Sequence, residues 1–157
     1  MRYGTSARFA LSLSLLLAAG FSSLQAQEGL TFEQAETAMD AAEAEARAND
    51  WNLTIIIADA DGVPIYLRRM DGAAVRTHEI ATRKVITVLG SGMATGDYGQ
   101  ALAAGSVEEV PNGVTFEGGY PIRVNGEIVG AMTASGATGA QDAQVVRAGL
   151  AAIGLEP

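Results

Sequence analysis

Hydrophobic and polar residues follow two different periods along residues 30–154. Some segments repeat apolar residues at spacings of three and four, which is the period of a helix that buries one face. Others are short, apolar and β-branched, and two of them flank Asn125-Gly126, the strongest two-residue signal of a β-hairpin. The pattern predicts, in order, helix 31–48, strands 53–58 and 63–69, helix 74–90, a loop 91–113 with a short helix near 100–104, strands 114–116, 118–124 and 127–134, and helix 138–153.

Two capping boxes mark where the first and last predicted helices begin. Thr31 is followed three residues later by Gln34, and Thr138 by Gln141, so that each pair can satisfy free backbone N–H groups at a helix start. The second predicted helix carries one stripe of mainly apolar residues, which we expect to pack on the sheet. This stripe consists of Val75, His78, Thr82, Val85 and Leu89.

The order of these elements predicts the fold class. Strands that come in adjacent pairs, with helices before, between and after them, indicate an α/β fold of the α+β type. We expect a single antiparallel sheet of about five strands, with the helices packed against it. A doubly wound sheet would need strands that alternate with helices, and this chain pairs its strands instead.

The N-terminal segment has the features of a secretory signal peptide. Two arginines precede an apolar run over residues 9–21, and a small-residue cleavage site follows at Leu24-Gln25-Ala26. The apolar run is shorter than the roughly 20 residues that a membrane-spanning helix needs. We therefore expect a signal over residues 1–26 and one mature domain over residues 27–157, without stable membrane insertion and located in the periplasm or outside the cell.

Charge and cysteine content exclude several function classes. Loss of Arg2 and Arg8 with the signal changes the formal charge from −8 to −10. So acidic a protein should repel nucleic acid and anionic lipid. The chain contains no cysteine, which excludes disulfides, thiolate ligands, iron–sulfur clusters and a cysteine nucleophile. Stability must come from the apolar core or from oligomerisation.

An ordered set of short motifs spans nearly all of residues 30–154. The motifs are Asp59 to Gly62, Arg69-Met70-Asp71-Gly72-Ala73, Ile80-Ala81 with Lys84 and Thr87, Thr95, Gly118-Gly119-Tyr120-Pro121-Ile122, Asn125-Gly126, Val129-Gly130-Ala131, Ser135-Gly136 and Gln141-Asp142. Together they resemble the haem-binding HbpS/GlcG family. The resemblance implies a profilin-like fold, often assembled as a homo-oligomer. It also implies haem or iron binding in some exported members, and an unsettled role beside glycolate or propanediol metabolism in others.

The chain departs from the family pattern at several positions. Thr133 stands where a glycine is usual, and His78 stands where a small or polar residue is common. Residues next to Lys84, including Val85 and Ile86, are larger than the family prefers. These differences could reshape a pocket, so the resemblance predicts the fold more firmly than the ligand.

Iron ligation in a cysteine-free chain depends on a few side chains. His78 is the only histidine, so a nitrogen ligand to haem iron must come from it. A hydrogen-bonded histidine in the core or at an interface is the alternative. Phenolate and thioether ligands are the other options, and Tyr120 and Met132 lie on adjacent predicted strands where they could face one pocket. The full set of these residues is Tyr66, Tyr98, Tyr120, Met70, Met93 and Met132.

Charged residues suggest further contacts. Lys84, Arg69 or Arg123 could meet a haem propionate or a small hydroxy acid, whereas the structural alternative for Lys84 is an ion pair with Asp71 or Asp142. Asp59 and Asp61 flank a turn and could in principle bind a hard cation, but the later ligands of a calcium loop are absent and turn chemistry is the simpler interpretation.

Three functions follow as hypotheses. The first is an exported protein that binds haem, a related tetrapyrrole or iron and acts in haem handling or sensing, with His78 or a tyrosine as the iron ligand and Lys84 or Arg123 as the contact to a propionate. The second is an enzyme or accessory factor for a small oxygenated metabolite, with Lys84 and His78 as its polar pair. The third is a structural oligomer whose partner is another protein. No residue set of a hydrolase triad or a phosphate loop is present, and the sequence favours a binding protein over an enzyme.

Overall fold

The computed structural model describes Met1 and residues 29–156, so the predicted signal segment lies outside the described residues apart from Met1. Its helices and strands are, in chain order, α1 Phe32–Ala48, β1 Thr54–Asp59, β2 Pro64–Arg69, α2 Arg76–Ser91, α3 Thr95–Ala103, β3 Gly119–Val124, β4 Glu127–Ser135 and α4 Gly139–Ala152. Both predicted capping boxes are present, at Thr31 and at Thr138. Over the described residues, no helix has the length and apolar character that crossing a membrane requires.

The predicted α+β class is confirmed. The strands form one antiparallel sheet in the order β2-β1-β4-β3, with α1 and α4 packed on one face and α2 on the other. The larger core cluster, which includes Met39, Ile57 and Met132, fills the layer between the sheet and the α1/α4 pair. A smaller cluster around Ile56 and Val85 fills the layer beneath α2.

The sheet has four strands within the described residues, so the predicted short strand over 114–116 is wrong. The physical reason lies in α2. The Thr87 hydroxyl accepts a hydrogen bond from the backbone N–H of Val114 at 2.7 Å and donates one to the carbonyl of Val114 at 2.9 Å. Both backbone groups of Val114 are therefore engaged by one side chain, and the segment is held as an irregular connection.

Two further predictions about helices need correction. The helix in the long connection is α3, which covers Thr95–Ala103 rather than residues near 100–104. The buried face of α2 is also different from the predicted stripe. Val75 is 80% exposed and His78 is exposed, whereas the sheet-facing residues are Thr77, Ala81, Lys84, Val85, Thr87 and Val88.

The turn between β1 and β2 agrees with the turn interpretation of Asp59. The Asp59 carboxylate accepts hydrogen bonds from the backbone N–H groups of Asp61 at 3.0 Å and Val63 at 2.9 Å. These bonds fold the chain locally, as aspartate does in Asx turns. Among the described residues no cluster of three or more metal-binding side chains occurs, here or elsewhere.

Candidate functional site

A buried ion pair lies where α2 meets the start of α4. The ammonium group of Lys84 donates a hydrogen bond to Oδ2 of Asp142 at 2.8 Å and another to the carbonyl of Ala134, the penultimate residue of β4, at 2.7 Å. The other oxygen of Asp142 accepts from the backbone N–H of Ala137 at 3.0 Å. Lys84 is 1% exposed and Asp142 is 3% exposed. The predicted alternative of an ion pair with Asp142 is thus confirmed.

Local backbone geometry makes room for this pair. Gly118 has φ +106°, and a Cβ at this position would lie 2.4 Å from Cβ of Asp142 and 2.7 Å from Nζ of Lys84. Only glycine can pass so close to both groups in that left-handed conformation. Asp142 itself is fixed by the Thr138–Gln141 capping box, which sets where α4 begins.

Burial dominates the electrostatics of the pair. Desolvation lowers the pKa of Lys84, although the charge of Asp142 opposes this shift. Desolvation also raises the pKa of Asp142, although Lys84 and the backbone N–H of Ala137 oppose it. Each partner is therefore held away from its charged form by loss of water and drawn back to it by the other. An ion pair in such surroundings contributes little net stability, and pairs of this kind are more often explained by specificity or function.

A cleft of about 330 Å³ opens over the ion pair. Its walls come from α2, from the connection before β3 and from the start of α4. The lining residues are Ile80, Lys84, Phe116, Glu117, Ser135, Ala137, Gly139 and Asp142. Concave sites with apolar walls and a few convergent polar groups are where small molecules bind. Sequence reasoning placed Ser135 in a family motif without giving it a role, and it missed Glu117, which belongs to no motif.

His78 lies on a different side of α2. It shares one flank of the helix with Val85 and Leu89, which follow it by seven and eleven residues, and this flank packs toward the β1–β2 turn at Gly62. Lys84 lies on the flank that faces β3 and β4. His78 is exposed and Lys84 is buried, so the two side chains lie on different flanks of α2, and their action as a polar pair stays a prediction.

Strand β2 presents Leu67 and Arg69 on the side of the sheet that α2 covers, and we call the surface formed by these two residues the β2 face. Strand β2 is an edge of the sheet, and its Leu67 pairs with Ile56 of β1, which is covered by α2. Leu67 therefore points to the same side as α2, yet it is 40% exposed. Arg69 pairs with Thr54 at the other end of the face, and the Thr54 hydroxyl is hydrogen-bonded to Thr77, the neighbour of His78, at 2.7 Å.

Tyr120, Met132 and Arg123 lie apart from this surface. Tyr120 and Met132 are directly paired across β3 and β4, but Met132 is fully buried against Gly149 of α4, so the predicted shared pocket does not form around it. The Tyr120 hydroxyl accepts a hydrogen bond from Arg147 at 2.7 Å. Arg123 donates to the carbonyls of Gly126 at 3.1 Å and Gly92 at 2.8 Å, which ties its hairpin to the end of α2.

Comparison with known proteins identifies the class. A family model described as haem-degrading protein HbpS-like matches residues 30–151, and the chain belongs to this family. The family resemblance seen in the motifs is therefore confirmed.

Individual relatives agree with this assignment. The chain is 36% identical over 108 residues to protein GlcG of Escherichia coli (strain K12), an alignment that covers 68% of this chain and 81% of that protein. A double mutant of HbpS from Streptomyces reticuli superposes with a TM-score of 0.73 at 28% identity and covers 89% of this chain and 97% of its own. The crystal structure of a PduOC:haem complex gives a TM-score of 0.73 at 25% identity and covers 79% of this chain and 94% of that one.

Proposed function

We propose that this protein binds haem and acts in haem handling or sensing. The observation that carries the proposal is the family match over residues 30–151, together with the likeness to a PduOC:haem complex over nearly the whole of that chain. The chemistry of the described residues is compatible with haem. An imidazole ligand, apolar surface and a cation are all that a flat iron porphyrin with acidic side chains requires of a protein.

His78 is the proposed iron ligand, and the β2 face is the proposed contact surface. The imidazole is exposed, and its side chain makes no hydrogen bond to another residue within 29–156, so a ring nitrogen is free to bind iron. Leu67 and Val75 offer exposed apolar side chains near this flank of α2. Arg69, which donates one hydrogen bond to the carbonyl of Ala73, retains other N–H groups for a propionate.

The other candidate ligands fit less well. The positive charge of Lys84 is balanced by the Asp142 carboxylate, and the Arg123 guanidinium donates hydrogen bonds to two backbone carbonyls. Met132 is enclosed in the core. A porphyrin at any of these residues would have to displace contacts that hold the sheet and helices together.

A haem titration of the purified protein, followed in the Soret region, tests the proposal. We expect a saturable, stoichiometric shift. In His78→Ala the affinity should fall by more than about tenfold, because loss of even an outer partner of a metal ligand has that effect. Arg123→Ala is the matched control, since its side chain is exposed and lies away from the β2 face. A weak, non-saturating response would refute haem binding and leave the structural oligomer, whereas a normal spectrum in His78→Ala would refute the ligand assignment alone.

Export is the second part of the proposal. The charged start, apolar run and small-residue site before Gln27 support cleavage near Ala26 and release into the periplasm or the medium. The test is expression of the full chain in a Gram-negative host, followed by fractionation and N-terminal sequencing. A mature product that begins near Gln27 is expected, and an uncleaved product in the cytoplasm or membrane would contradict export.

Self-association is the third part. Strand β2 is an edge of the sheet over the described residues, and an edge strand commonly pairs with a strand of another chain, which supports a homo-oligomer that leaves the β2 face open. Light scattering coupled to size-exclusion chromatography should then give a mass of at least two chains. A monomer at micromolar concentration would contradict this part and leave haem binding untouched.

A further inference from the structure

The floor of the cleft over the ion pair presents two polar groups with unused hydrogen-bonding capacity. An ammonium group has three N–H donors, and that of Lys84 uses two of them, on Asp142 and on Ala134. Ser135 is 4% exposed, and its hydroxyl makes no hydrogen bond to another group within 29–156. Since no fully buried polar side-chain atom of that range lacks a partner, the Ser135 oxygen is open to the cleft that it lines.

These two groups lie at the same end of the sheet. Ser135 pairs with Thr54, and the Thr54 hydroxyl bonds to Thr77 of α2, so Ser135 lies on the side of the sheet that α2 covers. Lys84 reaches from α2 to the carbonyl of Ala134, the neighbour of Ser135. The ammonium group and the hydroxyl therefore line the same cleft at adjacent positions of β4, where both can donate to a ligand oxygen.

The charge around the cleft selects against anions. Asp142 neutralises Lys84, and Glu117 adds a negative charge at the rim. The Glu117 side chain is placed by two glycines, since a Cβ at Gly139 would lie 3.1 Å from its Cβ and a Cβ at Gly96 would lie 2.7 Å from its Cγ. A carboxylate ligand would meet net repulsion here, which argues against the hydroxy acid that the sequence suggested.

The apolar residues that line the cleft favour a ligand with a short carbon chain. Ile80 and Phe116 line the opening, and Phe116 is 58% exposed although it is a large aromatic residue. An exposed aromatic side chain at the mouth of a concave site is a common anchor for an apolar ligand group.

We propose that this cleft is a second site, separate from the β2 face, that binds a small uncharged aldehyde or ketone. The carbonyl oxygen accepts hydrogen bonds from Nζ of Lys84 and from the hydroxyl of Ser135, and the carbon chain lies against Ile80 and Phe116. A carbonyl oxygen accepts two hydrogen bonds and needs no acceptor of its own, whereas an alcohol also carries a donor, so a site with two donors suits a carbonyl compound better than an alcohol. The proposal does not depend on haem binding.

The sequence provides a direct probe, because Lys84 is the only lysine of the chain. In NMR spectra of protein grown with isotope-labelled lysine, the Cε and Nζ resonances then come from Lys84 alone. We refer to them together as the Lys84 signal. We would titrate it at neutral pH with butanone, butanoate and butylammonium, three probes with four-carbon chains that differ in charge. Butanone should shift the Lys84 signal saturably, and the two ions should leave it in place.

Variants separate the site from general solvent effects. Ser135→Ala should weaken butanone binding about fivefold, which corresponds to one hydrogen bond of typical strength. Phe116→Ala should weaken it as well without a risk to folding, since the side chain is largely exposed. Ser106→Ala, an exposed serine outside the cleft, is the matched control and should bind normally.

Several results would overturn the proposal. The proposal fails if butanone does not shift the signal saturably, if butanoate shifts it equally, or if butylammonium alone shifts it, since the last result would identify a cation site. Unchanged butanone affinity in both Ser135→Ala and Phe116→Ala would also overturn it, because the shift would then arise outside the cleft.

Discussion

Replacing Lys84 by methionine tests how the buried pair contributes to stability. Methionine keeps most of the volume of the lysine stem but removes the charge, so the Asp142 carboxylate stays 3% exposed without its partner. Breaking a buried ion pair from one side costs about 3–5 kcal/mol, because an uncompensated charge remains in the interior. A domain of this size has a free energy of unfolding of about 5–15 kcal/mol, so Lys84→Met should still fold but with much of its margin lost.

The pH dependence of that loss has a definite sign. Burial already raises the pKa of Asp142 in the intact protein, and Lys84 is the largest influence that opposes the rise. In Lys84→Met the folded-state pKa rises further, while the unfolded-state pKa keeps its ordinary value. The folded variant then takes up a proton that the unfolded chain does not, so stability increases as the pH falls from 7 toward the ordinary pKa of aspartate. The deficit of Lys84→Met relative to the intact protein should therefore be smaller at pH 5 than at pH 7.

Urea unfolding provides the assay. Trp51 is the only tryptophan and is half-buried, so its fluorescence reports the transition. The double variant Lys84→Met/Asp142→Asn is the matched control, because the amide oxygen can still accept from the N–H of Ala137 and no charge is left buried. It should recover most of the lost stability. A loss below about 1 kcal/mol at pH 7, or the same deficit at pH 5, would refute the assignment of an electrostatically coupled buried pair.

Three further substitutions test individual contacts by the same unfolding assay. Gly118→Ala should lose about 3 kcal/mol or more, because φ is +106° and the new Cβ would lie 2.4 Å from Cβ of Asp142; a loss under 1 kcal/mol would contradict the close approach. Thr133→Val should lose about 1–2 kcal/mol, because the Thr133 hydroxyl donates to the carbonyl of Ala81 at 3.0 Å inside the α2 interface; an unchanged midpoint would show that this bond carries no stability. Arg68→Met should lose about 1–2 kcal/mol, and part of the loss should shrink in high salt, because Arg68 pairs with the exposed Asp40 at 2.9 Å and also with Glu43, whose side chain is 15% exposed; a salt-independent loss would indicate packing rather than charge.

The elements that follow local chemistry were predictable from the sequence. Both capping boxes form where Thr31 and Thr138 indicated, and Asn125-Gly126 lies at the turn of the β3–β4 hairpin, where Asn125 has φ 53° and Gly126 has φ 88°. Signals of this kind depend on residues within a few positions of each other. They fixed the order of the helices and strands and, through the pairing of adjacent strands, the fold class.

The orientation of α2 was not predictable in the same way. A stripe of mainly apolar residues normally marks the buried face, but here Val75 and Thr82 of the predicted stripe are exposed while Thr77, Lys84 and Thr87 are buried. Each buried polar residue has a partner that is distant in sequence: Thr77 bonds to Thr54, Lys84 to Asp142, and Thr87 to Val114. The spacing of apolar residues within one helix contains no information about hydrogen-bond partners on other elements. The apolar stripe was therefore predicted to be the buried face of α2.

This same exchange of polar and apolar positions explains why the two proposed sites are separate. Three polar contacts hold α2 on the sheet, from Thr77 to Thr54, from Ala81 to Thr133 and from Lys84 to the carbonyl of Ala134. Because these contacts turn the polar face of α2 toward the sheet, the flank that carries His78, Val85 and Leu89 faces the β1–β2 turn. His78 is exposed on this flank, on the same side of the sheet as the β2 face. The opposite flank closes over the ion pair and leaves the cleft. Because one helix separates an exposed imidazole from a buried ammonium group, His78→Ala should leave the Lys84 signal and its response to butanone unchanged. A shift of that signal on addition of haem would instead show that the two sites are one.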